Sequence, residues 1–324
     1  MQSLVRRAFI YASASVTGQP LCITAIEDGT ITYTFGASQD YGTKEVEYSL
    51  NGKNWTKQLW SSRGKVNVNV YAGQSVYWRA KSGTKRDLDN NPRFSSTCKF
   101  TLSGNIMSMV WGISYKNMTS LKYTCAFNGL FQGSKVVSCK DLIVPVLSWD
   151  DGYGSSTAAT YRYYGCELRQ LFMNCVYLED ASFTLPASYV SGSGYRYMFY
   201  GCTALTKPPQ ILAIKAGGNA FSEMFQGCTS LITAPEIKAK PAQMPAFFEG
   251  STPGVTTNVF LDMFNGCSNL AEIKTAYLDT TQAGKWVKDV AANGKMIVPS
   301  SYQGTVENYR GVNGIPQGWS VEFY

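Results

Sequence analysis

The stretch Phe225-Gln226-Gly227-Cys228-Thr229-Ser230-Leu231 decides the fold, because its pattern returns along the chain. Three close copies occupy 172–178, 199–205 and 264–270, and a weaker copy at 131–137 has Ser for Cys and Val for Leu. The marker phenylalanines, at 131, 172, 199, 225 and 264, are separated by 41, 27, 26 and 39 residues, so the base period is near 26. Repeats of this length stack, because one unit cannot bury its own apolar face. The sequence therefore predicts a solenoid.

Each repeat also predicts a local structure. Phe221, Met224 and Phe225 have the i, i+3, i+4 spacing of one buried helical face. Gly227 follows, and glycine tolerates the left-handed conformation that ends a helix. We therefore predict a short helix, a Gly or Asn stop, a buried thiol, and a strand that opens at Leu231 or its equivalent.

Composition limits the classes of function. The 324 residues predict about two or three domains. The formal charge of +7 is spread along the chain without a long Lys/Arg run, so we expect no nucleic-acid binding. No stretch approaches the roughly 18 apolar residues that span a membrane, so we expect no membrane insertion.

The first 18 residues make a poor signal peptide, because the apolar run after Arg7 is short and broken. We expect residues 1–18 to form an N-terminal docking arm on a partner protein, with secretion as the alternative. Its candidate contact residues are Arg6, Arg7, Phe9 and Tyr11.

The nine cysteines argue against metal and disulfide chemistry. Their number is odd and no CxxC pair occurs, which disfavours a zinc site or a fully paired disulfide framework. Four of them take the same place in the repeat, where a small buried thiol suits packing between coils. We predict reduced core thiols and assembly in a reducing cytoplasm.

Residues 19–112 show the alternation of a β-sandwich. Positions 30–35 and 65–70 alternate with period two, and Asn51-Gly52 is a hairpin-turn signal. Short strands between turn signals predict an immunoglobulin-like sandwich. The apolar segment 103–112 is expected to pack this unit against the first repeat.

The repeats span 113–277, and the tail, 278–324, is predicted to be a C-terminal cap. In the tail, Thr281 can begin a helix that carries Trp286 on one face, and two short strands follow near 297–299 and 319–324. The predicted fold class is mainly β with short helices: an immunoglobulin-like sandwich, then a solenoid of repeats and its cap; the family resemblance described below implies that the solenoid is a leucine-rich-repeat solenoid.

The sequence offers little catalytic chemistry. It contains no histidine, which removes Ser-His-Asp and Cys-His nucleophile systems and the commonest metal ligand. Adjacent carboxylates, Asp150-Asp151 and Glu179-Asp180, give no reason to expect two carboxyl groups facing each other across a glycosidase cleft. Catalysis or a Ca²⁺ contact at Asp150-Asp151 stays open as a weaker alternative to a simple turn. We expect a protein without enzymatic activity, cofactor or metal.

Two of the gaps between marker phenylalanines exceed the base period, so they contain inserts, around 149–156 and 238–257. Aromatic and acidic side chains in these inserts and in the repeat loops are the candidate contacts with a ligand or partner. An exposed Tyr or Trp can stack on a sugar or anchor a protein interface, although packing in the repeat core is the competing interpretation. The candidates are Trp149, Asp150, Tyr153, Tyr161, Tyr163, Tyr200, Phe247 and Phe248.

The pattern Met-Phe-x-Gly-Cys-x-x-Leu, at 198–205, 224–231 and 263–270, resembles the BspA-like leucine-rich repeats. Such repeats occur in surface proteins of gut Bacteroidetes and in virion proteins of their tailed phages, the crAss-like phages included. Residues 104–108 look like the segment that joins a preceding sandwich to such repeats. Residues 311–319 resemble the usual C-terminal cap.

The resemblance implies interaction with other molecules, commonly adhesion. We therefore expect a non-enzymatic bacteriophage virion protein on the particle exterior, assembled in the host cytoplasm as a head fibre, decoration or tail-fibre component. Its expected partners are capsid or tail proteins, further copies of itself, and a host surface glycan or protein. A bacterial cell-surface adhesin is the alternative, and a carbohydrate-active enzyme is the third candidate.

Overall fold

The computed structural model describes residues 19–36, 43–82, 92–117, 126–144, 168–190, 192–242 and 257–324. Within these ranges the protein is mainly β, with a few short helices and a β-solenoid of about five turns. This confirms that the fold is mainly β with short helices and that the repeats form a solenoid. The docking arm, 1–18, lies outside the described residues.

The first part of the chain forms two packed β-sheets. Their strands are β1 (Leu21–Ala25), β2 (Gly29–Thr34), β3 (Thr43–Ser49), β4 (Thr56–Leu59), β5 (Lys65–Val70), β6 (Ser75–Ser82), β7 (Arg93–Ser96) and β8 (Phe100–Asn105). One sheet has the order β4-β3-β6-β1-β8 with antiparallel neighbours, and the other has the antiparallel order β5-β2-β7. A further strand, β9 (Val136–Ile143), comes from the first repeat and pairs parallel with β8. The solenoid therefore continues one of the two sheets.

Alternation along each strand places the apolar side chains between the sheets. In β5 the three valines are buried and the residues between them are exposed, because successive side chains point to opposite faces. Aromatic rings meet across the interface: Tyr33 of β2 lies 6.0 Å from Trp78 of β6, and Phe94 of β7 lies 5.1 Å from each of them. These three buried rings form the centre of the first core.

The segment after β8 packs as predicted. A short helix, α1 (Ser108–Trp111), is followed by a 3-10 helix over Gly112–Asn117. The Ser108 hydroxyl donates to the Trp78 carbonyl at 2.8 Å and accepts from the Leu21 amide at 2.9 Å. The Ile106 amide donates to the Ile143 carbonyl at 3.1 Å. The segment therefore contacts both the sheet and the first repeat.

The solenoid strands are short and stack in parallel from coil to coil. They are β10 (Thr184–Leu185), β11 (Tyr189–Val190), β12 (Gln210–Ile211), β13 (Lys215–Ala216), β14 (Lys240–Pro241), β15 (Glu272–Lys274), β16 (Lys295–Val298) and β17 (Ser320–Phe323). Three parallel ladders result, with the orders β10-β12, β11-β13-β14 and β15-β16-β17. Pairing is parallel because each coil repeats the path of the coil before it.

The helix predicted in each repeat is wrong, and two consecutive β-turns take its place. In the third coil these turns are 195–198 and 199–202, each closed by an N–H to C=O bond of 3.1 Å between its fourth and first residues. The third residues, Tyr197 and Gly201, have φ of 58° and 69°. A positive φ at this position is what a type II turn requires.

The same pair of turns explains why the apolar spacing of each repeat is typical of a helix. The first and fourth residues of each turn face the core, so Tyr195, Met198, Phe199 and Cys202 are all buried. Two successive four-residue turns produce the i, i+3, i+4 spacing. In a helix that begins near Tyr195, the Phe199 amide would donate to the Tyr195 carbonyl four residues earlier, whereas here it donates to the Met224 carbonyl of the next coil at 2.9 Å.

A stack of phenylalanine rings runs through the whole repeat core. Neighbouring ring centroids are 5.3–5.7 Å apart and the planes are tilted by only 4–16°. The rings belong to Phe94, Phe131, Phe172, Phe199, Phe225 and Phe264. The first ring comes from β7, and Trp286 lies 6.0 Å beyond the last ring. The two sheets and the solenoid therefore share one continuous core.

The tail continues the solenoid and closes it. The helix predicted after Thr281 is wrong: residues 280–289 form turns, and Lys285 and Asp289 have positive φ of 54° and 57°, spaced as in the repeats. The two predicted strands are confirmed as β16 and β17. The buried Trp319 donates its indole N–H to the Ala291 carbonyl at 2.8 Å and covers this end of the core.

Truncating one ring of the stack should destabilise the whole described fold. Phe199→Ala removes contacts with the rings on both sides and should cost about 3–5 kcal/mol of unfolding free energy. Urea denaturation followed by circular dichroism measures this cost. The exposed Thr203 of the same coil provides the control, and Thr203→Ala should change stability by less than about 0.5 kcal/mol. A loss below about 1 kcal/mol for Phe199→Ala would contradict the shared core.

Candidate functional site

Most of the predicted contact residues lie outside the described part of the chain, and only Tyr200 lies within it. The others are Trp149, Asp150, Tyr153, Tyr161, Tyr163, Phe247 and Phe248, together with Arg6, Arg7, Phe9 and Tyr11 of the docking arm. The alternative turn or Ca²⁺ contact at Asp150-Asp151 also falls outside. The surroundings of Tyr200 therefore define the candidate site.

Tyr200 lies on the surface formed by the outward residues of the paired turns, which we name the turn face. It is the second residue of the turn 199–202 and is half-buried. In this coil the second and third residues of the two turns, Arg196, Tyr197, Tyr200 and Gly201, are all partly exposed, whereas the first and fourth face the core. Its ring lies 5.8 Å from that of Tyr197, edge to face at 75°.

Arginine side chains surround Tyr197. Arg196 Nη2 donates to the Tyr197 hydroxyl at 2.8 Å and to Glu223 Oε1 of the next coil at 3.1 Å. The Arg196 guanidinium lies 4.6 Å from the Tyr197 ring centroid, and Arg169 of the previous coil lies 5.6 Å from it. Cations at these distances are attracted to the face of an aromatic ring. We name these residues the tyrosine–arginine cluster: Arg169, Arg196, Tyr197, Tyr200 and Glu223.

The electrostatics of the cluster suit contact with a partner. Burial raises the pKa of Tyr197, and the nearby Glu223 carboxylate raises it further, so the phenol stays neutral. The Arg196 and Glu223 side chains are 26% and 16% exposed, which leaves part of each polar group accessible. The cluster holds a single carboxylate, so it presents aromatic edges and hydrogen-bond donors without a paired general acid and base.

Sequence reasoning found Tyr200 but missed its neighbours. The missing signal was the repeat period itself. Arg169 and Arg196 are 27 residues apart, so they occupy equivalent positions in adjacent coils. Aligning the repeats by their marker Phe would have brought both arginines beside Tyr197.

The repeat cysteines are packing residues, as predicted. Each thiol donates to the carbonyl of the marker Phe in the preceding coil at 3.0–3.1 Å: Cys175 to Phe131, Cys202 to Phe172, Cys228 to Phe199 and Cys267 to Phe225. Burial raises the pKa of Cys175 and Cys267 to about 12, and it raises the pKa of Cys202 and Cys228 well above the usual range. A nucleophilic cysteine needs thiolate character, and these buried thiols stay protonated.

A second surface, which we name the strand face, is formed by the exposed side chains of the parallel ladders. Ion pairs join its coils: Asp180 to Lys207 at 3.2 Å, Glu236 to Lys274 at 3.0 Å, and Lys295 to Glu272 at 3.3 Å and to Glu322 at 3.5 Å. Asp180 also accepts bonds from Ser182. Burial raises the pKa of this carboxyl, but the bonds from Ser182 and Lys207 outweigh that effect and lower it overall. Asp180 therefore links adjacent coils.

Two further properties concern the described residues as a whole. Among them, no group of three or more Cys, Asp or Glu side chains is arranged to hold a metal ion. None of the helices in the described ranges is both long enough and apolar enough to cross a bilayer.

A shallow groove of about 210 Å³ lies on the strand face, between Pro209, Pro235 and Lys238.

Alkaline pH should weaken the solenoid through its buried thiols. The pKa of Cys175 rises from the ordinary 9.0 to about 12, so its contribution is complete below about pH 9 and is lost as pH rises toward 12. For Cys175 this loss is limited to about 4 kcal/mol. Urea denaturation of the wild type and of Cys175→Ala measures the effect between about pH 8 and about pH 11. Their stability difference should shrink as pH rises, and a constant difference would contradict the prediction.

The ion pair inside the tyrosine–arginine cluster should contribute to stability. Glu223→Gln keeps the side-chain length but removes the charge beside the half-buried Arg196, which should cost about 1–2 kcal/mol. The control is Lys57→Gln, because the Lys57–Glu45 pair at 2.8 Å is far more exposed. Exposed pairs contribute little, so this control should leave the unfolding free energy unchanged. Equal effects of the two substitutions would refute the assigned role of Glu223.

Comparison with known proteins provides no relative whose function could be transferred to these residues. No protein-family model, curated protein or solved structure matches this chain.

Proposed function

We propose that this chain is a non-enzymatic surface protein of a bacteriophage particle, such as a head fibre, a decoration protein or a tail-fibre component. The observation that supports this most is the continuous aromatic core from Phe94 to Trp286. A solenoid with one core forms a stiff scaffold that holds surface residues at fixed spacings from coil to coil. Attachment and assembly contacts need such repeated, pre-ordered surfaces.

The tyrosine–arginine cluster is the proposed contact surface. Tyr and Arg are enriched among the residues that dominate binding energy at interfaces. The bonds from Arg196 to Tyr197 and Glu223 hold these side chains in place before a partner arrives, which reduces the entropy lost on binding. Its partner on this proposal is a host surface glycan or protein, or a neighbouring virion protein.

The finer fold assignments support the same proposal. We infer that the repeats are BspA-like leucine-rich repeats, because the Phe, Gly and Cys of the motif have the same roles in successive coils. We infer also that the two packed sheets are a variant immunoglobulin-like sandwich of short antiparallel strands. The variant feature is the place of β1, which lies between β6 and β8. We propose further that residues 1–18 dock on a partner protein, that copies of the chain associate with one another, and that the chain is assembled in the host cytoplasm.

A bacterial cell-surface adhesin is the second candidate, since the same cluster would suit adhesion from a cell. Mass spectrometry of the chain from its native source separates the two. A processed or lipid-modified N-terminus favours the adhesin, whereas an intact N-terminus on purified particles favours the virion protein.

Particle association and binding are the tests of the proposal. Antibodies against the chain should label purified phage particles in electron microscopy, and the purified chain should bind host cells or other virion proteins. Tyr197→Asn with Tyr200→Ala should weaken that binding about tenfold or more, with Asn chosen because it tolerates a positive φ.

The matched control is Tyr71→Ala, because Tyr71 is 73% exposed and lies next to β5, away from the turn face. It should leave binding unchanged, and circular dichroism should show that both variants fold. A chain that stays monomeric, is missing from particles and binds no surface component would refute the proposal.

A further inference from the structure

Two lysines lie side by side in the strand face. Lys215 of β13 and Lys240 of β14 are directly opposite each other in the parallel ladder, and both are exposed. Neighbouring strands are about 4.8 Å apart, so the two positive side chains leave the sheet close together. Like charges in directly opposite positions destabilise a sheet. The fold therefore carries an electrostatic cost at this place.

The rest of the strand face avoids this cost. Four other lysines lie within 3.0–3.5 Å of a carboxylate: Lys207, Lys238, Lys274 and Lys295. Within the described ranges, no carboxylate lies within 4.0 Å of Lys215 or Lys240. The pair is thus a local excess of positive charge on a face whose other lysines are neutralised.

Apolar surface lies beside the lysine pair. Ile214, next to Lys215 in the chain, is 55% exposed. The Tyr277 ring lies on the other side, with its centroid 5.9 Å from Lys240 Nζ. The Tyr277 hydroxyl donates to Asp279 at 3.4 Å, and Asp279 also accepts a bond from the amide of Thr281 at 2.7 Å. Two cations are therefore flanked by an aliphatic side chain and an aromatic ring.

We propose that Lys215 and Lys240 bind the carboxylates of an acidic polysaccharide, with Ile214 and Tyr277 against the apolar faces of its sugar rings. This inference rests on the proposed function and names the chemistry of a host-surface ligand. The lysine ammonium groups are compact charges that do not impose the planar geometry of a guanidinium, which suits carboxylates presented at varied angles. An acidic peptide fits less well. The backbone of β13 is paired on both sides, with β11 and β14, so a peptide strand cannot add beside Lys215. β14 is the edge strand of this ladder, and binding of an acidic peptide beside Lys240 is therefore an outcome that the test must separate.

Binding of the full chain to polygalacturonate oligomers tests the site, with neutral dextran oligomers of matched length as the negative probe. We expect polygalacturonate to bind and dextran not to bind, with an affinity that falls as salt is added. The double substitution Lys215→Gln and Lys240→Gln should weaken binding about tenfold or more. The control is Lys207→Gln with Lys238→Gln on the same face, whose charges are already compensated, and it should change affinity less than about twofold.

Thermal denaturation separates loss of the site from loss of the fold. The Lys215/Lys240 double variant should melt no lower than the wild type, because the substitution removes a like-charge contact. Equal polygalacturonate binding by this variant and the wild type would overturn the inference. Polyglutamate binding as tight as polygalacturonate binding would also overturn it, since the site would then fit an acidic protein.

The same experiments distinguish this inference from the proposed function. If the wild type binds host cells or particles but not polygalacturonate, the inference about the lysine pair fails and the proposed attachment role stands. If it binds neither polygalacturonate nor any particle or cell surface, both fail.

Discussion

Face-to-face stacking of one phenylalanine per coil is the interaction on which the rest of this structure depends. Ring centroids 5.3–5.7 Å apart set the distance and the register between coils. The thiol-to-carbonyl bonds of the repeat cysteines, the inter-coil amide bonds and the ion pairs all require that register. Because the first ring belongs to β7, the stack also joins the sheets to the solenoid, and the Phe94 amide donates to the Leu130 carbonyl at 2.7 Å.

Tight turns are the second constraint, and they carry strain. A left-handed backbone costs a residue other than glycine about 1 kcal/mol. Tyr197 and Glu223 adopt it with φ of 58° and 59°, although glycine would fit these positions more easily. The equivalent turn positions of other coils, Gln170 and Asp262, have φ of 58° and 51°, so this strain belongs to the repeated turn and is not confined to the tyrosine–arginine cluster. The buried ring stack supplies the stability that keeps these residues in place.

The turn face and the strand face carry different side chains, although the same repeated backbone path forms both. On the turn face, the partly exposed turn residues near each buried Phe meet those of the next coil. Arg196 in this way contacts both Tyr197 of its own coil and Glu223 of the next coil. On the strand face, parallel register aligns charged residues in columns, so Lys274 pairs with Glu236 of the adjacent coil, whereas Lys215 lies beside Lys240. The binding specificity of such a surface depends on which residue each coil places at the equivalent position of the repeat.

The sequence by itself determined the repeat, its period, the alternating strands before it, the strands of the cap and the buried cysteines, because these follow from apolar periodicity. It could not separate a helix from a pair of turns, since both place residues i, i+3 and i+4 on one buried face; the bond from the Phe199 amide to the next coil decides between them. The neighbours of Tyr200 and the pairing of Lys215 with Lys240 required the register between coils. That register is set by ring stacking between residues far apart in the chain, so only the tertiary structure decided which side chains meet.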